Sequence, residues 1–434
     1  MHRLLRVLST GTVAATVAAT GLQAGTASAS TVQASNKPIE ITYAGFSSMN
    51  GLTPGIINKL NKQYTGKYVF KATPYPYNNY AALLSAAIAG GNTPDLFGAS
   101  WTPSVYYARE GLELPIRPFV KAAGINTADF PSGMYGAPTL VNGVNYSIPL
   151  DAFGTALFYN KALFKKAGLN PADPPKTGAQ LIADALAMKK AGIKFPIIMG
   201  ADKTTQDFLY PSLVYQFGGV MGDAKTCAAL FDSKAGIAAA TWEKNLMFKY
   251  KVAPVGPSVG EDLDEFGKGA VGMVMLPAIN QGAYIKDLGA NLGVAPLPKI
   301  GTANDKDFVG QQYLWVFKTT ASTTPQGAKG VAVLLKAIYN QELKTIAIQN
   351  GIIPTYSPVL GAVRKTMPFF AQQDYMVQKG VINPAIPNWG TVTGVPLYNN
   401  LDNVLLNRTS VSAGVREAAV QTNELTKTLP GCSD

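Results

Sequence analysis

Apolar and polar positions along this chain fall into short alternating stretches and longer helical stretches, in turn. Ile39–Ala44 alternates with period two, as a half-buried strand does. Pro54–Lys62 places Ile56, Ile57 and Leu60 on one helical side. Lys67–Ala72 reads as a second strand. Asn78–Ala89 repeats Leu83, Leu84, Ala87 and Ile88 at helical spacing and stops at Gly90-Gly91. Asn92–Phe97 is a turn running into a strand, with Asp95 as a turn-former, and Pro103–Arg109 is a short helix. This β-α-β-α-β-α order predicts an open, mainly parallel sheet.

The stretch Tyr146–Gly168 organises the rest. Tyr146–Pro149 reads as a strand end, Leu150–Gly154 as a bend, and Thr155–Tyr159 as a second, apolar strand. A short helix from Lys161 stops at Gly168. A strand that breaks and resumes suits a crossing between two α/β lobes with a ligand cleft beside it. Beyond it, helices are expected at 178–191, 205–217, 234–250 and 280–287, with strands at 195–199, 267–277 and 292–295. Thr177 and Gln180 form a capping-box pair. Val309–Phe317 is placed back in the first lobe, and Gly351–Pro354 is read as the return to the second. Helical patterns at 372–380, 399–406 and 412–428 close the chain. The expected division is a signal peptide at 1–29, a first lobe of 38–150 and 309–350, and a second lobe of 151–308 and 351–434.

With 434 residues, 47% apolar and 15% charged, the chain can bury more than one core. Its start reads as a secretion signal: Arg3 and Arg6, an apolar Val13–Leu22, and a small-residue cleavage site at Ala27-Ser-Ala29. The expected product is exported, in the periplasm or the outer cell envelope. No Cys lies near Ala29, so a lipoprotein anchor is not indicated. Cleavage would remove His2, the only histidine, and with it Ser-His-Asp, Cys-His and His-zinc chemistry. The formal charge of +11 would fall to +9 as Arg3 and Arg6 leave. No basic run with interleaved aromatics points to nucleic acid. Cys227 and Cys432 are an even pair in an oxidising compartment, and a disulfide between them is expected.

Several dispersed motifs carry a family resemblance. They are Ala86-Ala-Ile-Ala-Gly-Gly followed by Pro94-Asp95; Tyr146-Ser-Ile-Pro149 followed by Phe158-Tyr-Asn-Lys161; Pro174-Pro175 with Thr177; Phe266-Gly-Lys-Gly-Ala-Val-Gly-Met273; and Gly351-Ile-Ile-Pro354. In order and spacing the chain resembles the bacterial extracellular solute-binding proteins of family 1, the sugar-capturing subunits of ABC importers. Gly178 and Leu276–Asn280 depart from the family's usual Trp positions. The resemblance implies a two-lobed, periplasmic-binding-protein-like α/β fold of type II, each lobe an open mixed sheet flanked by helices. It also implies a non-enzymatic monomer without cofactor or metal, with a carbohydrate ligand and a membrane-embedded permease as partners.

Open α/β sheets bind ligands beyond the carboxyl ends of their strands. The expected lining is Trp101, Trp315, Trp389 and Tyr80 as plates for sugar faces, with Asn50, Asp151, Asn280, Gln311 and Gln312 as hydroxyl partners. Phe153 belongs to the same strand-end lining, and loops near Tyr356 and Trp389 close the rim. Trp315 fits a core position as well as a cleft position, and Asp151 fits a structural bond at the hinge. Tyr106-Tyr107 lacks the His or carboxylates that an iron shell needs. Two alternatives stand beside a sugar: the same fold holding a polyamine, peptide or metal, and a glycan-active enzyme using Asp151 with Asp207.

Overall fold

A computed structural model describes residues 37–46, 52, 54–76, 79–130, 135, 140–199, 206–255, 261–429 and 432. The expected signal segment and Asn50 lie outside the described residues. Pro38–Asp434 forms one compact unit.

The chain opens with β1 (Ile39–Phe46), α1 (Pro54–Gln63), β2 (Tyr68–Tyr75), α2 (Tyr80–Ala89), β3 (Leu96–Ser100), α3 (Trp101–Arg109), β4 (Glu113–Leu114) and α4 (Arg117–Ala123). Next come β5 (Ser147–Phe153), β6 (Thr155–Asn160), α5 (Lys161–Lys166), α6 (Gly178–Lys190), β7 (Phe195–Ile198), α7 (Leu209–Gln216), α8 (Lys234–Phe248), α9 (Glu261–Gly267) and β8 (Val271–Pro277). Then follow α10 (Gln281–Leu288), β9 (Leu292–Pro296), β10 (Asp307–Phe308), β11 (Gly310–Phe317), α11 (Pro325–Ala337), α12 (Leu343–Asn350) and β12 (Ile353–Pro354). The chain closes with α13 (Ser357–Val363), α14 (Phe370–Gln378), β13 (Gly380–Val381), α15 (Trp389–Leu405) and α16 (Val411–Thr426).

Two mixed sheets result. The first runs β12-β5-β11-β3-β1-β2, with β4 also paired to β11; the second runs β9-β6-β8-β7. Strands β5, β6, β8 and β11 are buried along their whole length. That explains why they are mostly apolar without a period-two alternation, because a strand covered on both faces has no solvent side to show; the exceptions, Asp151, Gln311 and Gln312 among them, are buried polar groups. Each sheet has its own apolar core, one around Phe158, Ile197 and Val274, the other around Ile41, Phe70 and Leu314.

Helix starts follow the local chemistry. The Asn160, Thr177, Ser233, Thr324 and Ser410 side chains accept N–H bonds at the starts of α5, α6, α8, α11 and α16. Such caps contribute about 1 kcal/mol each. At Thr177 the hydroxyl takes the Gln180 N–H, and the Gln180 amide oxygen reaches back one residue past the cap to the Lys176 N–H at 2.9 Å. Asp95 does more than shape a turn. It accepts both the N–H and the hydroxyl of Thr42, at 2.8 and 2.9 Å, and the Thr319 hydroxyl, clamping β1 to the end of β11.

Three expectations change. Strand β5 continues through Leu150 to Phe153, so the bend is confined to Gly154. The reason is register: Asp151, Ala152 and Phe153 are all paired to β11. Ile353–Pro354 pairs with Ala152 and Asp151 at the edge of the first sheet, not in the second. The helix expected at 399–406 begins ten residues earlier, at Trp389, and carries Pro396 inside it.

Candidate functional site

Sheet register sets a row of strand ends. Gln312 pairs with Ser100 on one side and Asp151 on the other, and Asp151 pairs with Pro354. The second sheet brings its own ends to the same crossing, with Pro277 opposite Thr155 and Pro296 opposite Ala156.

Asp151 is fully buried in this row. Among the described residues no donor closes a hydrogen bond to either carboxylate oxygen, although the Gln312 backbone N–H faces it. Burial pushes the carboxyl up to about 8, with the Gln312 N–H opposing. Its field in turn adds to the burial that raises the Tyr43, Tyr313 and Tyr339 phenols. A neutral Asp151 is a hydrogen-bond donor at physiological pH.

Tyr80 begins α2 and is pushed up to about 12 by burial, opposed by a hydrogen bond with Ser100 and helped by Tyr107 and Asp207. Asp207 follows β7 of the second sheet, so Tyr80 stands where the two lobes meet. Burial also raises Tyr107, which bonds to Ser85. Both phenols therefore stay protonated and able to donate.

Other sequence candidates have different employment. Gln311 is nearly buried, its amide oxygen taking the Tyr313 hydroxyl at 2.9 Å, and Gln312 is buried beside it. Asn280 spends its amide on the Pro277 carbonyl at 3.0 Å. Phe153 packs on Phe208, which packs on Phe308, forming an aromatic column along the crossing. Tyr356 joins Phe130 and Tyr339 in the first core. Trp315 is fully buried, 5.1 Å from Phe97, so it is a packing residue and not a plate. The strand's pleat turns that face under the helices. Trp389 is 1% exposed among the second lobe's core residues, because it is the first residue of a helix and not part of a loop. Trp101 heads α3; its side chain lies outside the described residues.

The concave feature between the lobes has a volume of about 470 Å³. Its first-lobe wall mixes the polar Tyr80, Ser85, Tyr106, Tyr107 and Glu110 with the apolar Ala81, Ala82, Leu84, Ile88, Ala89 and Leu112; its second-lobe wall is Asn388 and Thr391 at the start of α15. Of the sequence candidates whose side chains are among the described residues, only Tyr80 lines it. Ser85, Asn388 and Thr391 were missed. The signal available was their place beside aromatic or Gly-rich breaks, next to Trp389 in one case and Tyr80 in another. Tyr106 and Tyr107, weighed for iron, reappear here beside a single carboxylate.

A profile of the bacterial extracellular solute-binding proteins matches residues 9–338. The chain belongs to that family. As a solute-binding protein of an ABC transporter it catalyses no reaction, and its partners are a solute and a permease. It is similar to the sn-glycerol-3-phosphate-binding periplasmic protein UgpB of Brucella melitensis, at 24% identity over 333 residues, covering 72% of this chain and 74% of the relative. In fold it is similar to the GacH receptor of Streptomyces glaucescens, a structure solved with acarbose, at TM-score 0.76 and 23% identity over 91% of this chain and all of that one. It is also similar to UgpB of Mycobacterium tuberculosis with glycerophosphocholine, at TM-score 0.73 and 16% identity over 90% and 98% of the two chains. These likenesses establish the mixed α/β periplasmic-binding-protein fold of this solute-binding protein. Among the described residues no helix is long and apolar enough to cross a membrane.

Proposed function

We propose that this binding protein captures a neutral mono- or oligosaccharide between its lobes outside the cytoplasm and presents it to the permease. The chain would cross between lobes at Gly154, at Val309 and beyond Pro354. The supporting observation is the cavity wall: three tyrosines, a serine, a threonine, an asparagine and one carboxylate set among the apolar Ala81, Ala82, Leu84, Ile88, Ala89 and Leu112, with no Lys or Arg among its described lining residues. Tyrosine rings cover sugar C–H faces, and the phenols, hydroxyl and amide groups meet sugar hydroxyls that would otherwise lose their water partners unpaired. Asp151, Gln311 and Gln312 are proposed to shape the floor behind it. A sugar touching both walls binds the closed form better than the open one, and that difference drives closure.

A glycerophosphate ester is the second reading, favoured by one observation. The first turn of α15 contributes Asn388 and Thr391 to the cavity, and helix N-termini attract anions. The Glu110 carboxylate on the facing wall opposes an anion there. Calorimetry separates the readings. Maltotriose and related neutral sugars are expected to bind, while sn-glycerol-3-phosphate and glycerophosphocholine are not. Tighter binding of either phosphate ester would overturn the sugar assignment.

A further inference from the structure

The two sheets are joined by crossings of unusual brevity. Phe153 is the last residue paired in the first sheet and Thr155 the first paired in the second, leaving Gly154 alone between them. On the way back, Phe308 is paired with Val381 in a separate two-stranded ladder against the second lobe, the Val309 N–H donates to the Val381 carbonyl at 2.9 Å, and Gly310 is already paired with Phe153, so the change of sheet falls between Val309 and Gly310. The crossings lie side by side, and one side chain touches both.

That side chain is Asp307, 4% exposed at the start of β10. Its Oδ2 accepts the Thr155 backbone N–H at 3.0 Å, and its Oδ1 accepts the Ser212 hydroxyl of α7. The Ser212 oxygen accepts the Phe308 N–H at 3.0 Å and lies 3.2 Å from the Thr155 hydroxyl. The Ser212 hydrogen could instead reach the Phe208 carbonyl at 2.7 Å, but a charged acceptor makes the stronger bond. Above about pH 7, where its carboxyl ionises against the burial that raises it, Asp307 suits this convergence because a carboxylate offers acceptor sites only, and the first backbone N–H after the first crossing faces it. Lys379, whose backbone carbonyl accepts the Asp307 N–H, and Asp305 pair with each other at 3.1 Å on the surface. Glycines leave room for the arrangement. A Cβ on Gly154 would stand 2.9 Å from Asp307 Oδ2 and 2.7 Å from the Met376 Cβ; one on Gly310 would stand 2.7 Å from the Phe153 and Phe208 rings.

We propose that Asp307 is a positioning residue that latches both crossings to the second lobe, so that the lobes pivot at Gly154 and at Val309–Gly310 as one coupled hinge. Thr155 and Phe308 travel with α7 during closure, and rotation is left to the single residues on the first-lobe side. The latch sets which interlobe angles the ligand-free protein visits. It therefore tunes affinity without touching the solute.

The test needs no ligand. Spin labels at Lys62→Cys and Lys190→Cys, both exposed, report the interlobe distance distribution, and amide exchange reports Thr155 and Phe308. Asp307→Asn puts an NH₂ donor against one of the donors that Asp307 accepts. It is expected to broaden the distance distribution and to speed Thr155 exchange about tenfold or more, as loss of a bond to a charged acceptor does. Ser212→Ala is expected to do the same at Phe308. A residue with only a structural role would lower the melting midpoint and leave the distances unchanged. Wild-type distances and protection in Asp307→Asn overturn the proposal; should that variant fail to fold, the same result in Ser212→Ala does so.

Discussion

Opening the disulfide gives the most quantitative test of how the second lobe is held. Cys227 sits in the turn of a short hairpin, and Cys432 follows α16, with Cα atoms 5.6 Å apart and 205 residues between them in sequence. In the folded protein the bridge is not alone at this junction. Val415, Ala418, Ala419 and Leu429 are buried against the second core, and the Asn423 side chain accepts the Ala229 N–H at 2.7 Å. Reduction should therefore leave the native fold in place and act on the unfolded chain. Closing a loop of this length removes roughly 18 cal/mol/K of chain entropy, or about 5 kcal/mol at 25 °C. Unfolding entropy near the midpoint is roughly 2 cal/mol/K per residue. Spread over the whole body of about 400 residues, that is a fall of about 6 °C; confined to a second lobe melting separately, about twice as much. Calorimetry with and without a phosphine reductant, beside a thiol count, measures it. A fully reduced protein melting within about 2 °C of the oxidised one would refute the reasoning, since the entropy of a 205-residue loop could not then be the bridge's contribution.

Buried carboxylates set an unusual pH dependence. Burial raises Asp151 to about 8 and Asp307 and Glu243 to about 7, and raises Glu113 as well. Each holds its proton more tightly folded than unfolded, so stability should be greatest near the ordinary carboxylate range, fall as pH rises from about 4 to 8, and level off above. Chemical denaturation at pH 5.5 and 8 checks this; greater stability at pH 8 would contradict it. Asp151→Asn removes one ionisable group at nearly constant shape, and at pH 7 it should raise stability by up to about 4 kcal/mol, at roughly 1.4 kcal/mol per unit of pKa; a destabilised variant would show that the carboxyl makes a needed bond. Tyr106→Ala, at a half-buried cavity ring, should weaken a bound neutral sugar about three- to tenfold, the size of a stacking contact. Unchanged affinity by calorimetry would place the solute elsewhere.

Much of the fold was legible. Period-two and helical patterns located most strands and helices, and the Thr177-x-x-Gln180 signature located the start of α6 because capping is chemistry between near neighbours. The site was less legible. Trp315 and Trp389 looked alike as aromatic plates, yet both are buried, because which face of a strand or helix meets solvent depends on what packs over it. Asn388 and Thr391 line the cavity one and two positions from the tryptophan that sequence favoured. Asp307 drew no notice inside the polar run Asn304–Asp307, though a carboxylate directly before Phe308-Val309-Gly310 and a buried strand was a usable sign.

The linear order of residues determined most element types and the Thr177 cap, since these depend on side chains within a few positions of one another, whereas pairing with β11 confined the break to Gly154. The Cys227–Cys432 bridge was expected from an even pair of cysteines, but folding alone decided that Asp307 reaches Thr155, 152 residues away, and which elements the bridge joins. Those contacts are selected by how two sheets dock, and docking is a property of whole surfaces that no short window of residues contains.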